Sequence, residues 1–364
     1  MKKIINTFKT WNYFTKNSLL SYATVIIAYI VIQLMISGGS ISNSLQGQLV
    51  PICTYIIMAV SLNLTVGISG ELSLGHAGFM SVGAFTGIVA STLFAAAELP
   101  SVAVIALAVI AGAFMALIFG LLVGIPVLKL RGDYLAIVTL AFGEIIKDLL
   151  NNLYVGYDLN GLHFSFTSAK ELGLDEETGV TILKAAMGAT GMTKMASFGL
   201  GVILILITLF VVYNVVNSRT GRAIMSVRDN YIAAESVGIN TMKYRLMAFV
   251  ISAALAGMGG VLYGLNYSSL YPSKFNFDTS ILILVFVVLG GMGNIWGSII
   301  AAALLTVLPE LLRSFSDYRM LVYAIVLILV MLIRNNPKIA SLFSGLKGKI
   351  LGKKSKSTKE GGQN

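Results

Sequence analysis

The chain has 364 residues, of which 56% are hydrophobic and only 12% are charged. Because a water-soluble domain carries about a quarter charged residues, this composition excludes an ordinary soluble protein and makes lipid the solvent for much of the chain. The net charge of +10 does not indicate a nucleic-acid partner, since the basic residues flank long apolar runs in the manner of membrane topology signals. The single cysteine and the two histidines argue against a disulfide framework or a metal site, and we expect neither a metal nor a cofactor.

Windows of about 20 apolar residues predict an all-α, multi-pass integral membrane protein with about ten membrane elements. The N-terminus is basic and then apolar, but no small-residue cleavage site follows, so we interpret the first apolar run as a retained span. This predicts a basic cytoplasmic N-terminus at 1–18, a membrane domain at 19–333 and a basic, disordered cytoplasmic tail at 334–364. The predicted segments are 19–37, 50–66, 74–97, 102–127, 134–149, 198–216, 246–267, 279–312 and 320–333.

The segment 279–312 is too long for one span and contains the run GGMGN at 290–294. We therefore expect it to fold back on itself and to form two membrane elements. Gly290, Gly291 and Gly293 permit such a reversal, and transporters place broken helices near the solute path. A simple turn explains the same glycines equally well.

An even number of crossings places both termini on one side of the membrane. If that side is the cytosol, about three quarters of the Lys and Arg residues are cytoplasmic, as the positive-inside rule requires. The loop 151–197 is then extracytoplasmic and the loop 217–245 is cytoplasmic. The first of these is too long to be a bare connector, so a short helix or hairpin is expected within it.

The cytoplasmic loop contains an amphipathic stretch that ends in AAESVG at 233–238. Small residues let another backbone approach closely, and a glycine can end a helix in a left-handed conformation. A short helix of this kind can lie in a groove of a partner protein. An ordinary interfacial helix between two spans is the alternative, and these residues alone do not decide between the two.

Motifs in order along residues 50–333 carry a family resemblance. They are GELSLGHAGF at 70–79, LRGDYLAIVTL at 130–140, RDN at 228–230, GIN at 238–240 and LGGMG at 289–293. Together they resemble the LivM-type subunit of ABC importers for branched-chain amino acids. Residues 232–238 are similar to the Glu-Ala-Ala-x-x-x-Gly coupling signature of ABC permeases, with Ile232 in place of the glutamate. The Ile-x-Leu-Pro part of that signature is absent at 248–251, a departure typical of this branch, and the outer loop diverges at 157–161.

The resemblance implies a subunit of a bacterial inner-membrane importer. Its partners would be a second, LivH-like permease, two ABC ATPase subunits and an extracytoplasmic binding protein that carries leucine, isoleucine or valine. No P-loop spacing occurs in the chain, so ATP hydrolysis is expected in the partners and this subunit is not expected to be an enzyme. The residues that the resemblance assigns to ATPase coupling are Asp229, Asn230, Ile232, Ala233, Ala234, Glu235, Ser236 and Gly238.

Polar residues and glycines within the predicted spans are candidates for the solute pathway or for hinges. Glu71 and His76 open a Gly-rich span, and we favour a structural hinge there because both residues can hydrate or cap a helix at the cytoplasmic edge. Glu144 lies within an apolar segment and must face protein or water, so we expect a polar contact between helices or, second, pathway lining. The full set of pathway or hinge candidates is Glu71, Gly75, His76, Gly78, Glu144, Gly290, Gly291 and Gly293.

Two other classes of function remain open. A secondary transporter would work without ATPases and would need a membrane-embedded charge relay, for which the chain has few ionisable residues. An intramembrane enzyme would need paired acids, a Ser–His set or a metal cluster within the spans, and the sequence assembles none. Within the importer class, urea or short amides, nucleosides and sugars remain alternative substrates.

Overall fold

Helices form most of the chain in the computed structural model. The structure describes residues 13–39, 42–130, 132–158, 161–174 and 179–312, together with 321, 324, 325 and 328. The chain divides into two units, Met1–Glu310 and Leu311–Asn364, and every contact discussed below lies within the first. Residues 1–12 of the predicted N-terminus at 1–18 and the tail at 334–364 lie outside the described residues, and so does the last predicted span at 320–333 except for those four positions.

Eleven helices are described, and the ends of the membrane helices differ from the predicted spans by a few residues. Seven segments within the described residues are long and apolar enough to cross a membrane, which confirms a mostly helical membrane protein. The expected total of ten membrane elements stays a prediction. The helices are α1 (Tyr13–Ser37), α2 (Asn43–Asn63), α3 (His76–Ala96), α4 (Ser101–Val127), α5 (Asp133–Asn152), α6 (Phe198–Asn217), α7 (Arg219–Asp229), α8 (Tyr231–Ser236), α9 (Thr241–Gly264), α10 (Phe277–Gly290) and α11 (Ile295–Leu311).

The second helix does not end as an α-helix. It continues as a π-helix over Leu64–Ser69, in which every residue is buried, and stops at Gly70, whose φ is 79°. Residues 71–75 that follow are neither helix nor strand, and they lead into α3. Because π-helical turns are rare and often occur at functional sites, this end of α2 is a candidate functional feature that hydropathy did not reveal.

The core of the bundle is the block formed by α3, α4 and α9. Its helices cross at small residues, so their backbones approach closely. A methyl group built on Gly257 of α9 would lie 2.8 Å from the carbonyl oxygen of Gly112 in α4, and one on Gly120 would lie 2.8 Å from the Cβ of Ala253. Larger side chains at these crossings would force the helices apart, so the small residues fix the packing of the block.

The first helix lies at the periphery, with only 11% of its apolar window buried within the chain. Two polar contacts hold it. Ser21 and Tyr213 of α6 share a hydrogen bond of 2.6 Å, and Trp296 of α11 donates from Nε1 to Thr24 Oγ1 over 3.0 Å. The remaining exposed apolar surface of α1 is what a helix facing lipid presents.

A five-stranded antiparallel sheet covers the end of the bundle at which α9 finishes. The strands follow the order β2-β1-β3-β4-β5, and their bounds are β1 (Tyr154–Asp158), β2 (Gly161–Ser165), β3 (Val180–Lys184), β4 (Ala189–Thr190) and β5 (Ser269–Leu270). The loop 151–197 thus holds a hairpin, as expected, together with two short 3-10 helices at Ala169–Leu172 and Ala185–Met187. The fifth strand was not expected, because it comes from the connection between α9 and α10.

The long apolar segment at 279–312 breaks at the predicted glycines. The tenth helix ends at Gly290 and α11 begins at Ile295. Gly291 and Gly293 have φ values of 105° and 80°, which only glycine adopts without strain. The turn between α10 and α11 therefore depends on these two residues.

Candidate coupling site

The residues predicted to contact an ATPase lie on two short helices that share a corner. The seventh helix ends at Asp229, and the side chain of Asn230 caps α8 by accepting a hydrogen bond from the amide of Ala233 over 3.1 Å. At the far end Gly238 has a φ of 84° with open space around it, so the chain turns there without steric hindrance and enters α9. We call the segment 219–240 the coupling segment.

Exposure divides the coupling residues into two sets. Ile232 and Val237 expose 64% and 75% of their surface, and burying such side chains against a partner protein would be favourable. Ala233 is also exposed, whereas Ala234 is only 4% exposed. A partner protein can therefore reach Ala233, while the side chain of Ala234 packs within this chain.

The polar coupling residues make local hydrogen bonds. Asp229 Oδ1 accepts from Arg228 Nε and Nη2 over 2.9 and 2.8 Å, and Ser236 donates to the carbonyl of Ala233 over 2.8 Å. Glu235 is exposed. These bonds shape the corner between α7 and α8 and leave one face of α8 open.

Arg228 connects this corner to the interior of the bundle. Its Nη1 donates to the carbonyl oxygen of Gly67, in the π-helix, over 3.1 Å. The last carbonyls of a helix lack helical donors, and an arginine at that end also interacts favourably with the helix dipole. Its aliphatic stem packs on the backbone at Gly70, where a Cβ would lie 2.6 Å from Arg228 Cγ. Arg228 therefore caps the end of α2 with a side chain from the coupling segment.

The same part of α2 contacts the turn between α10 and α11. Asn63 is fully buried; its Oδ1 accepts from the amide of Gly293 over 2.8 Å and its Nδ2 donates to Ser298 Oγ over 2.8 Å. A methyl group on Gly67 would overlap the amide nitrogen of Gly293 and lie 2.9 Å from its Cα. Gly290 lies against Ser298 in the same turn, where a Cβ would be 2.6 Å from the carbonyl carbon of Gly297. Coupling segment, π-helix and broken helix therefore meet around Gly67.

A second polar link joins the start of α9 to the irregular segment that precedes α3. Arg245 donates from Nε to Glu71 Oε1 in an ion pair whose side chains are 13% and 16% exposed. A cavity of about 220 Å³ lies beside it and is lined in part by Ser69, Arg228 and Tyr231. Glu71, which was expected to be hydrated or to cap a helix at the membrane edge, is largely enclosed in this pair.

His76 was expected to be hydrated or to cap a helix at the membrane edge, and it opens α3 inside the bundle, where it is buried. The residue is 2% exposed, and its Nε2 shares a hydrogen bond of 2.8 Å with Ser61 Oγ of α2. The neighbouring amide of Ala77 donates to Ser280 Oγ of α10 over 3.2 Å. No group of three or more metal-binding side chains occurs among the described residues. His76 therefore joins α2 to the first turn of α3.

The two glycines beside His76 let α5 approach. A methyl group on Gly78 would lie 2.9 Å from the Cα of Gly143, and one on Gly75 would overlap the carbonyl of Thr139. Thr139 also accepts from the amide of Leu74 at its Oγ1 over 3.0 Å. The start of α3 is therefore enclosed by α2, α5 and α10.

Glu144 of α5 joins two helices. Its Oε1 accepts from the amide of Phe277, the first residue of α10, over 3.0 Å, and its Oε2 pairs with Lys147. A carboxylate at the start of a helix interacts favourably with the dipole and with an amide that has no helical partner. Glu144 thus caps α10 from α5.

Two residues of the junction around Gly67 were not among the candidates from sequence. Asn63 could have been predicted from sequence, because a side-chain amide within an apolar membrane span must find hydrogen-bond partners. Arg228 belongs to a resembling motif, but its contact with Gly67 joins residues far apart in the sequence, and no local pattern predicts that.

Comparison with known proteins identifies the family. The sequence profile of a family described as "Branched-chain amino acid transport system / permease component" matches residues 44–331. The chain belongs to this permease family. The matched region contains α2 to α11, and hence the whole junction around Gly67.

Individual relatives support this family assignment. The chain is 35% identical over 331 residues to the "High-affinity branched-chain amino acid transport system permease protein LivM" of Escherichia coli K12, covering 88% of this chain and 74% of the relative. It is 27% identical over 286 residues to the "Nucleoside ABC transporter permease protein NupB" of Lactococcus lactis, covering 75% and 72%. It is 33% identical over 129 residues to the permease protein LivH of Escherichia coli K12, covering 35% and 40%. No solved structure gives a significant match to the permease.

Proposed function

We propose that this chain is the LivM-like membrane subunit of an ATP-driven importer for branched-chain amino acids in a bacterial inner membrane. Membership in the permease family supports the transport role. The substrate follows the relatives named for branched-chain amino acids, of which LivM of Escherichia coli is 35% identical. The chain would form half of the translocation pathway, beside a LivH-like second permease.

The observation that carries the coupling part of the proposal is the exposed face of α8. Ile232 and Ala233 are exposed on α8 and Val237 is exposed directly after it, while α7 and α9 both contact α8. An apolar side chain beside a small one suits a partner's groove, because the apolar group gains by burial and the alanine permits close approach. We assign this face to one of two ABC ATPase subunits. Bound ATP and its hydrolysis would belong to those partners, and this subunit would not itself be an enzyme.

Orientation follows from the same assignment. The coupling segment would face the cytosol together with both termini, and the sheet at the opposite end would face outward. An extracytoplasmic binding protein that carries leucine, isoleucine or valine would then deliver its solute at the sheet end. The excess of Lys and Arg on the cytoplasmic side supports this arrangement.

A substitution at Ala233 tests the docking face. The substitution Ala233→Trp should overpack the contact with the ATPase at a cost of about 1–3 kcal/mol, which weakens docking by roughly five- to 150-fold. In proteoliposomes holding the whole transporter, ATP-driven leucine uptake and ATP hydrolysis should fall together. Ala233→Ser is the matched control and should retain both. Ala234 is unsuitable for this test because its side chain is buried, so a tryptophan in its place would disturb folding.

Three results would contradict the proposal. Normal uptake by Ala233→Trp at normal expression would remove the coupling assignment. Flux through liposomes that contain only this chain, driven by an ion gradient, would favour a secondary transporter. Uptake of a nucleoside but not of leucine by the unsubstituted complex would assign the substrate to the class named for NupB.

A further inference from the structure

Three parts of the chain that lie far apart in sequence meet at Gly67. Arg228 approaches from the coupling segment and donates to the Gly67 carbonyl, and the backbone of Gly293 lies against Gly67. Asn63 lies one turn earlier in α2, and its side-chain Oδ1 accepts a hydrogen bond from the backbone amide of Gly293. A single helical turn thus separates the cytoplasmic helices from the turn between α10 and α11.

The geometry requires an arginine. Nη1 reaches the Gly67 carbonyl while Nε and Nη2 hold Asp229, so one planar group fixes the corner of the coupling segment and the end of α2 together. A guanidinium presents several donors in a rigid plane, whereas an ammonium is a single point charge on a flexible stem. Arg228 is therefore suited to carry a displacement, and a lysine could keep only one of the two contacts.

Gly67 and Gly293 contact each other through their backbones. Neither Gly67 nor Gly293 has a side chain that could yield, and Asn63 is clamped between Gly293 and Ser298. Packed interiors transmit strain because they contain little free space. A shift of the π-helix must consequently shift the turn between α10 and α11.

We propose that Arg228 is the positioning residue through which movement of the coupling segment reaches the broken helix α10–α11. The proposal rests on the proposed function, since the movement is the one that ATPase docking would impose. The Arg245–Glu71 pair lies nearby but links α9 to the irregular segment before α3, so it does not reach the turn. Arg228 thus connects the coupling segment directly to the π-helix.

The first experiment measures coupling. Leucine uptake and ATP hydrolysis are recorded together in proteoliposomes holding the whole transporter with this subunit unsubstituted or as Arg228→Ala, Arg228→Lys or Arg222→Ala. We expect a roughly tenfold fall in leucine transported per ATP for Arg228→Ala, because a charge-assisted hydrogen bond is lost, and an intermediate fall for Arg228→Lys. The control residue Arg222 is an exposed arginine of the same helix, and Arg222→Ala should leave the ratio unchanged. A normal ratio for Arg228→Ala would overturn the proposal.

The second experiment separates transmission from a loss of folding or docking. Spin labels at Arg222 on α7 and at Met292, both exposed, report the distance between the coupling segment and the turn on a Cys53→Ser background. With Arg228 present, ATP binding should move both labels together and leave a single narrow distance distribution. With Arg228→Ala, ATP binding should shift or broaden it, and an unchanged distribution would refute the link. An absence of ATP-driven uptake by the unsubstituted complex would contradict the proposed function, whereas normal uptake by that complex with an unchanged distance distribution for Arg228→Ala would refute only the role of Arg228.

Discussion

The close contact at Gly67 gives a quantitative prediction for the substitution Gly67→Ala. The added methyl group would overlap the amide nitrogen of Gly293 and the amide oxygen of Asn63. To restore van der Waals contact, the turn must retreat by roughly 1 Å, which breaks the hydrogen bond from Gly293 to Asn63. Overpacking costs about 1–3 kcal/mol, and the lost hydrogen bond adds about 1 kcal/mol. The better helix propensity of alanine offsets at most about 1 kcal/mol, so the substitution should destabilise the protein by about 1–3 kcal/mol.

The single cysteine supplies the assay. Cys53 is 2% exposed, so a thiol-reactive fluorophore labels it only when the protein unfolds, and the temperature midpoint of labelling reports stability. Gly67→Ala should lower this midpoint by about 5 °C. Gly199→Ala is the matched control, because its methyl group would meet only Tyr29 Oη at 3.6 Å, and its midpoint should be unchanged or slightly higher. An unchanged or raised midpoint for Gly67→Ala would refute the claim that the two backbones are in tight contact.

Two further predictions concern the same junction and the orientation of the chain. Asn63→Ala should lower the temperature midpoint of thiol labelling by several degrees, because two buried hydrogen bonds are lost at about 1 kcal/mol each. The control Asn152→Ala changes an exposed residue and should leave the midpoint unchanged. Equal midpoints for the two variants would contradict the inference that Asn63 holds Gly293 and Ser298. On a Cys53→Ser background, a membrane-impermeant thiol reagent should label a cysteine at Phe166 in intact cells and one at Arg222 only after permeabilisation. Labelling of the Arg222 position in intact cells would reverse the proposed orientation.

Hydropathy predicted the membrane helices well because their signal is local. The span expected at 102–127 is α4 at Ser101–Val127, and the one expected at 198–216 is α6 at Phe198–Asn217. Lipid requires an unbroken apolar helix, so composition alone determines where such a helix lies. The break in 279–312 was predictable for a similar reason, since glycines with positive φ end a helix whatever surrounds them.

Features that depend on distant partners could not be predicted. The π-helix at the end of α2 reflects a change in hydrogen-bond register, which no residue pattern announces. The strand at Ser269–Leu270 exists only because it pairs with Ala189–Thr190 from another loop. Contacts of this kind arise from tertiary packing, so they appear only when the helices are in place. The roles assigned to the coupling and hinge residues stay predictions until the experiments above are done.

The pairing of that strand has a consequence for how the molecule can open. Main-chain hydrogen bonds of this pairing join the connection between α9 and α10 to the connection between α5 and α6. The same two connections are also joined where the amides of Met195 and Ala196 both donate to the carbonyl of Leu265. When helices are joined at one end, a small rotation at that end is enough to produce a large displacement at the other end. The strand pairing should therefore hold these helix ends together at the sheet, and we expect any movement imposed by the coupling segment to be larger at the end of the bundle away from the sheet.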